Sequence, residues 1–187
     1  MKKTDKTYRV NEIFYSLQGE GYYTGTPAIF LRFSGCNRRC AFCDTDFSAS
    51  TEMTAEEIAD KLRGFPSRHL VCTGGEPLLQ LDSDLLRVIK ALGFFVQIET
   101  NGSLPAPPEV DWVTCSPKDA PWNIDRIDEL KVVYQGQDVE EIAALLPATH
   151  RFLQPCSGLN TAETIGYILE HPRWRLSLQT HKLIDIR

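Results

Sequence analysis

Pro27-Ala-Ile-Phe-Leu-Arg-Phe-Ser-Gly-Cys-Asn-Arg-Arg-Cys-Ala-Phe-Cys43 joins an apolar run to three closely spaced cysteines. The first part, Pro27–Ser34, has the length and the branched and aromatic content of a buried strand. It is therefore expected to deliver the chain into a loop carrying Cys36, Cys40 and Cys43. Gaps of three residues and then two bring three thiolates onto that loop, enough for three corners of a [4Fe-4S] cube. A fully ligated cluster takes four cysteines, so the fourth iron would stand open to a small molecule. A zinc site wants four tetrahedral nitrogen or sulfur ligands, and the first histidine after Cys43 is the distant His69. Cys40 and Cys43 alone match a redox CxxC pair, which leaves Cys36 without a purpose. A disulfide scaffold fits poorly, because six cysteines in 187 residues is sparse and no secretion-type leader is evident.

Composition narrows the setting. The length suits a single domain over residues 1–187, with 42% hydrophobic and 24% charged residues. A net charge of −5 and the lack of a basic stripe argue against a nucleic-acid partner. No long apolar span argues for a membrane, and thiols kept for metal suit a cytoplasmic location.

Working outward, strand and helix patterns alternate. Thr54 with Glu57 forms a capping-box signature for a helix of about ten residues. His69–Thr73 reads as a buried strand. Asp82 or Ser83 caps a helix with Leu85, Leu86, Ile89 and Leu92 at helical spacing, which Gly93 stops. Strands follow at 94–98, 111–115, 129–134, 151–153 and 174–178, with helices at 139–146 and 162–170. Repeated strand–helix–strand units favour a largely parallel sheet. The intervals after Ile98 and Cys115 are too short or too proline-rich for full helices. The expected fold is thus α/β: an incomplete, modified (βα)6 partial barrel with mostly parallel strands.

Ligands gather at the C-terminal ends of parallel strands. Polar clusters fall at those ends: the cysteine loop, Thr73-Gly-Gly-Glu-Pro77, Glu99-Thr-Asn-Gly102, Ser116-Pro-Lys118 and Gln154-Pro155. Each alone reads as a turn, but their shared placement would surround one cavity. Arg32 lies within an apolar strand and so needs an anionic partner, either a protein carboxylate or a substrate.

These features resemble the radical S-adenosylmethionine (SAM) superfamily, whose cluster motif is CxxxCxxC. Phe14-Tyr-Ser-Leu-Gln-Gly-Glu-Gly21, Pro27–Arg32, Cys43-Asp-Thr45, Thr73–Pro77, Ser116–Lys118 and Leu178-Gln-Thr-His-Lys182 further resemble its 7-carboxy-7-deazaguanine synthase family. The resemblance implies a [4Fe-4S] cluster, SAM and Mg²⁺ as cofactors. It also implies ring contraction of 6-carboxy-5,6,7,8-tetrahydropterin to 7-carboxy-7-deazaguanine with loss of ammonia, a step of 7-deazapurine (queuosine) biosynthesis. It further implies a homodimer and an external electron donor of flavodoxin or ferredoxin type.

Residue by residue, the resemblance puts SAM among Phe42, Cys43, Asp44, Gly74, Gly75, Glu76, Ser116, Pro117, Lys118, Gln154, Pro155, Cys156 and Ser157. It puts the substrate among Leu17, Gln18, Gly19, Glu20, Arg32, Thr73, His181 and Arg187, with Thr45 on the magnesium ion. Glu76 is expected to accept from the SAM ammonium. Arg187 departs from the small residue or proline expected there, so its main-chain carboxylate is the group the resemblance uses. Cys72 and Cys115 are expected to pack as small apolar residues. A glycyl-radical activase shares the cysteine motif but does not explain the LQGEG and QTHK segments. An electron carrier would want a fourth cysteine.

Overall fold

The Pro27–Phe33 run forms a strand (β2) near the middle of a nine-stranded sheet of order β3-β1-β2-β4-β5-β6-β7-β8-β9. This computed structural model describes residues 6–43, 45, 46 and 48–187. β1 (Thr7–Leu17) pairs antiparallel with β2 and with β3 (Thr51–Thr54). The rest of the sheet is parallel: β4 (His69–Gly74), β5 (Phe95–Thr100), β6 (Trp112–Cys115), β7 (Glu129–Tyr134), β8 (His150–Pro155) and β9 (Arg175–Leu176). β3 and β9 end the sheet without pairing to each other, so the barrel stays open, as the sequence led one to expect.

Helices α1 (Ala55–Arg63), α2 (Ser83–Ala91), α3 (Val139–Leu145) and α4 (Thr161–Glu170) form most of the crossovers, and α5 (Thr180–Leu183) follows β9. No helix separates β5 from β6 or β6 from β7, in line with the short, proline-rich intervals there. Thr54 and Glu57 make the anticipated capping box on α1. Asp82, rather than Ser83, caps α2 by accepting from the Leu85 backbone N–H. The strand expected at 174–178 is only the two residues Arg175–Leu176. β1 was not anticipated at all. It interleaves Arg9, Asn11 and Glu12 with its apolar residues, so it lacks the uninterrupted run of a central strand.

Strand pleat sorts the side chains onto two faces. Leu31, Leu70, Cys72, Val96 and Ile98 point outward and pack with Leu85, Leu86 and Ile89 of α2 in one core. Burying each of those three α2 side chains contributes about 1.5–3 kcal/mol. Cys115, Leu130, Val132 and Leu153 meet Val139, Ala143 and Trp174 in a second core. The alternate residues of the same strands, Arg32, Val71, Thr73, Glu99 and Lys131, point inward and line a cavity. The pleat thus places apolar side chains under the helices and polar ones inside the barrel. Among the described residues no helix is long and apolar enough to cross a membrane.

Candidate active site

Side chains from β1, β2, β4, β5, β7 and β8, the cysteine loop and the α5 segment converge on one cavity of about 440 Å³. Its mouth is the cysteine loop. Cys36, Cys40 and Cys43 are free thiols and all three line the cavity. The Arg38 backbone N–H donates to Cys36 Sγ at 3.4 Å, and Cys43 N donates to Cys40 O at 3.1 Å. Gly75 allows this loop to sit against β4: a Cβ there would lie 2.1 Å from Gly35 O and 2.8 Å from Cys36 Cβ. Beyond it, Asn101 Nδ2 donates to Asn37 Oδ1 at 2.9 Å, and Asn37 Nδ2 donates to Ser103 Oγ at 2.8 Å, tying the loop to the end of β5.

The donor set fits an iron–sulfur cluster. Each thiolate of a cubane binds its own iron, so convergence of three ligands on one ion is not required. Among the described residues no three His, Cys, Asp or Glu side chains form a single-ion site. Arg38 also lines the cavity, and its Nε is buried without a hydrogen-bond partner among the described residues, an orphan donor that an anionic group would satisfy. Burial pushes the Cys40 thiol up, against the pull of the Lys118 ammonium. Lys118 is itself held below its ordinary value by burial; it donates to Ser116 Oγ at 2.9 Å and lies 5.3 Å from the Phe42 ring centroid.

Deeper inside lies a polar network. Lys131, with a side chain only 5% exposed, donates to Glu20 Oε2 at 2.6 Å and Glu99 Oε2 at 2.9 Å. Gln18 Nε2 and Gln97 Nε2 donate to Glu99 Oε1 at 3.2 and 3.0 Å. Gln179 Nε2 donates to Glu20 Oε1 at 3.0 Å. Burial penalises every charge here, and the partners decide the outcome. Burial raises Glu99 to about 7 despite Lys131, with Glu129 and Glu20 adding to the rise. For Glu20, burial is the largest single effect, but the Lys131 charge, hydrogen bonds from Lys131 and Gln179 and the nearby His181 together outweigh it, so it stays below its ordinary value. Lys131 is desolvated too, yet its three carboxylate neighbours raise it.

Arg32 donates from Nε to Glu12 Oε1 at 2.9 Å. Its two terminal nitrogens have no hydrogen-bond partner among the described residues, and the side chain lines the cavity. The two alternatives for Arg32 therefore coexist, an internal ion pair and a free bidentate edge. The α5 segment closes one side. Thr180 N and Oγ1 each donate to Gly19 O at 2.9 Å. A Cβ on Gly19 would meet His181 Nδ1 at 2.2 Å, so glycine is what allows the histidine to pack there.

Of the residues named from sequence, Leu17, Gln18, Gly19, Glu20, Arg32, Phe42, Cys43, Thr45, Thr73, Gly74, Gly75, Ser116, Lys118, Gln154, Pro155, Ser157, His181 and Arg187 all line this cavity. Pro117 lines a neighbouring one of about 530 Å³. Cys156 lines neither, and Asp44 lies outside the described residues. Glu76 also stands outside the cavity wall. Fully buried, it accepts at Oε1 from Thr100 Oγ1 (2.8 Å) and Leu78 N (3.1 Å), and at Oε2 from Asn101 N (2.8 Å). Through these contacts it braces the β4 and β5 ends against each other. Lys131 and Arg38 were missed as site residues. The signal for Lys131 was a lysine inside the otherwise apolar Leu130–Tyr134 run; for Arg38, only its place between two cysteines.

Comparison with known proteins agrees with this geometry. Residues 31–146 match the Radical SAM superfamily model. A 7-carboxy-7-deazaguanine synthase of Bacteroides thetaiotaomicron is 58% identical over 96% of this chain and 98% of its own length. Its counterpart in Bordetella pertussis is 45% identical over 96% and 99%. The crystal structure of QueE from Escherichia coli superposes with a TM-score of 0.79 at 32% identity, covering 94% of this chain and 95% of that one. With a three-thiol loop opening onto a polar barrel interior, and likeness along nearly the whole length of both relatives, the chain belongs to the 7-carboxy-7-deazaguanine synthase family of the radical SAM superfamily.

Proposed function

We propose that this chain holds a [4Fe-4S] cluster on Cys36, Cys40 and Cys43 and converts 6-carboxy-5,6,7,8-tetrahydropterin to 7-carboxy-7-deazaguanine with loss of ammonia. The observation that carries this reading is the shared cavity: the three thiols open onto the same space as Arg32, Gln18, Glu20 and Glu99. When bound, the cluster and SAM supply one-electron cleavage of the sulfonium and abstraction of a substrate hydrogen, chemistry that belongs to the cofactors.

The chain's own residues bind, orient and exclude water. The free edge of Arg32 supports a bidentate clamp on the substrate carboxylate, with Thr73 beside it on the neighbouring strand. Gln18, Glu20 and Glu99 offer acceptors to the donor-rich guanidine edge of a pterin. Phe42, Gly74, Gly75, Ser116, Lys118, Gln154 and Ser157 remain for SAM. Glu99, raised to about 7, can hold or release a proton at the pterin edge near neutral pH. Thr45 lies in the same wall as the cysteines and is assigned to Mg²⁺, a hard cation that takes oxygen ligands, water and substrate.

The reaction needs an external electron donor, which we assign to the flavodoxin or ferredoxin type. Ile165 and Leu169, exposed one turn apart on α4, support a homodimer. A thiolate-bound cluster supports a cytoplasmic location.

The test is anaerobic. Cluster-reconstituted, reduced protein is given SAM and Mg²⁺ with and without the tetrahydropterin. Appearance of 7-carboxy-7-deazaguanine and ammonia only with the pterin is the expected result. Protein that retains zinc alone, or cleaves SAM without transforming the pterin, would overturn the reading.

A further inference from the structure

The Arg187 side chain, a cation at the cavity edge, has no place in the roles above. The Phe14 and Phe30 rings stack there, with centroids 4.9 Å apart and planes 8° from parallel. Both guanidiniums lie by the Phe14 ring, Arg32 Cζ at 6.0 Å and Arg187 Cζ at 4.9 Å from its centroid. One carboxylate, Glu12, holds the pair. Its Oε1 accepts from Arg32 Nε at 2.9 Å, and its Oε2 accepts from Arg187 Nη2. Ser16 Oγ donates to Arg187 O at 2.6 Å and fixes the backbone from which that side chain extends. Arg32 and Arg187 line the cavity, whereas Glu12 does not. The cavity therefore meets two guanidiniums, while the side-chain carboxylate they share stands outside its wall. A carboxylate has about four acceptor positions, enough for two planar guanidiniums at once.

We infer that Arg187 and Arg32 form a two-guanidinium clamp for the substrate carboxylate, with Glu12 as the positioning residue that holds both. The inference rests on reading this cavity as the carboxypterin site. It assigns a role to a side chain where the family resemblance called only on main chain.

The probes are two unreactive ligands that differ at one group: 6-carboxypterin and pterin without a 6-substituent. Their dissociation constants are measured by anaerobic calorimetry on cluster-loaded protein with SAM, and their ratio reports recognition of the carboxylate alone. Arg187→Ala should cut the preference for 6-carboxypterin about tenfold, with pterin binding unchanged. In turnover it should raise KM while leaving kcat within about twofold. Arg187→Lys should fall between, since an ammonium is a point charge without the planar fork. Glu12→Gln should lower the same ratio several-fold with SAM affinity unchanged; an unmoved ratio would remove its positioning role. If Arg187→Ala weakens both pterins equally, or neither, the clamp is wrong. Arg32→Ala separates the two levels of the claim. If it collapses the ratio while Arg187→Ala does not, only the clamp fails. If it too leaves the ratio intact, the carboxylate site itself is misread.

Discussion

Glu99→Gln should erase a pH dependence of stability that resides in one buried carboxyl. Glu99 is raised from an ordinary 4.5 to about 7, chiefly by burial, with Lys131 opposing and Glu129 and Glu20 reinforcing. Its unfolded-state value is the ordinary one, so below pH 4.5 both states carry the proton and the stabilising contribution is complete. Between about 4.5 and 7 the folded protein keeps a proton that the unfolded chain has lost. Stability must then fall as pH rises, and it levels off above about 7. At about 1.4 kcal/mol per pH unit, that interval corresponds to about 3 kcal/mol.

Glutamine preserves the shape and an acceptor for the neighbouring amides, and it never ionises. Lys131 keeps Glu20 as its partner at 2.6 Å. Buried Glu76 is raised as well but is present in both proteins, whereas Glu129 titrates together with Glu99, so the difference curve reports the loss of Glu99 and the relief of Glu129 combined. The assay is anaerobic urea unfolding at half-unit steps from pH 4.5 to 8, variant minus wild type. The variant should gain about 3 kcal/mol relative to wild type across the series, equivalent to roughly 6–12 °C in Tm for a chain of this size. Parallel curves would refute the argument, because a carboxyl that titrates alike in both states contributes no slope.

Four other changes test separate parts of the site. Lys131→Met strands Glu20 and Glu99 in the interior and should cost about 3–5 kcal/mol in urea unfolding; an unchanged midpoint would mean these ion pairs are already offset by their own desolvation. Gly75→Ala drives a Cβ toward Gly35 O and should reduce bound iron after reconstitution, whereas Gly166→Ala, with open space around it, should leave iron content unchanged. Glu76→Gln replaces one acceptor oxygen with an N–H₂ that faces a protein donor and should cost about 1–3 kcal/mol of stability; weaker SAM binding at unaltered stability would instead support a contact of Glu76 with the SAM ammonium. Thr45→Ala should lower activity and flatten its dependence on added Mg²⁺, and intact metal dependence would remove the threonine from the ion.

What could be read from sequence follows how local the determining contacts are. Cys36, Cys40 and Cys43 occupy one loop, so spacing alone implied a shared metal group. The strand-end clusters were equally readable, because parallel α/β connectivity sends every strand's C-terminal end to the same side. β1 was hidden because polar side chains on it have tertiary tasks: Asn11 Nδ2 donates to Ala49 O, and Glu12 accepts from Arg32 and Arg187. Glu76 shows the converse. Its motif marked the position, but its contacts with Thr100 and Asn101, residues of another strand end, could not be read from the motif. Lys131 was harder still, since its partners Glu20 and Glu99 lie 111 and 32 residues earlier in the chain. Inward residues of successive strands become neighbours only when the sheet curves, and curvature leaves no trace in a spacing pattern. A charged residue at an inward strand position therefore deserves suspicion even without a motif, because burial without a partner is too costly to persist. Applied here, that rule selects Arg32, Glu99, Glu129 and Lys131 from strand parity alone. All four contact β1 or the turn that follows it, through Glu12, Gln18, Glu20 and Tyr22 N. The strand that periodicity missed was thus implied by charges that the other strands could not satisfy.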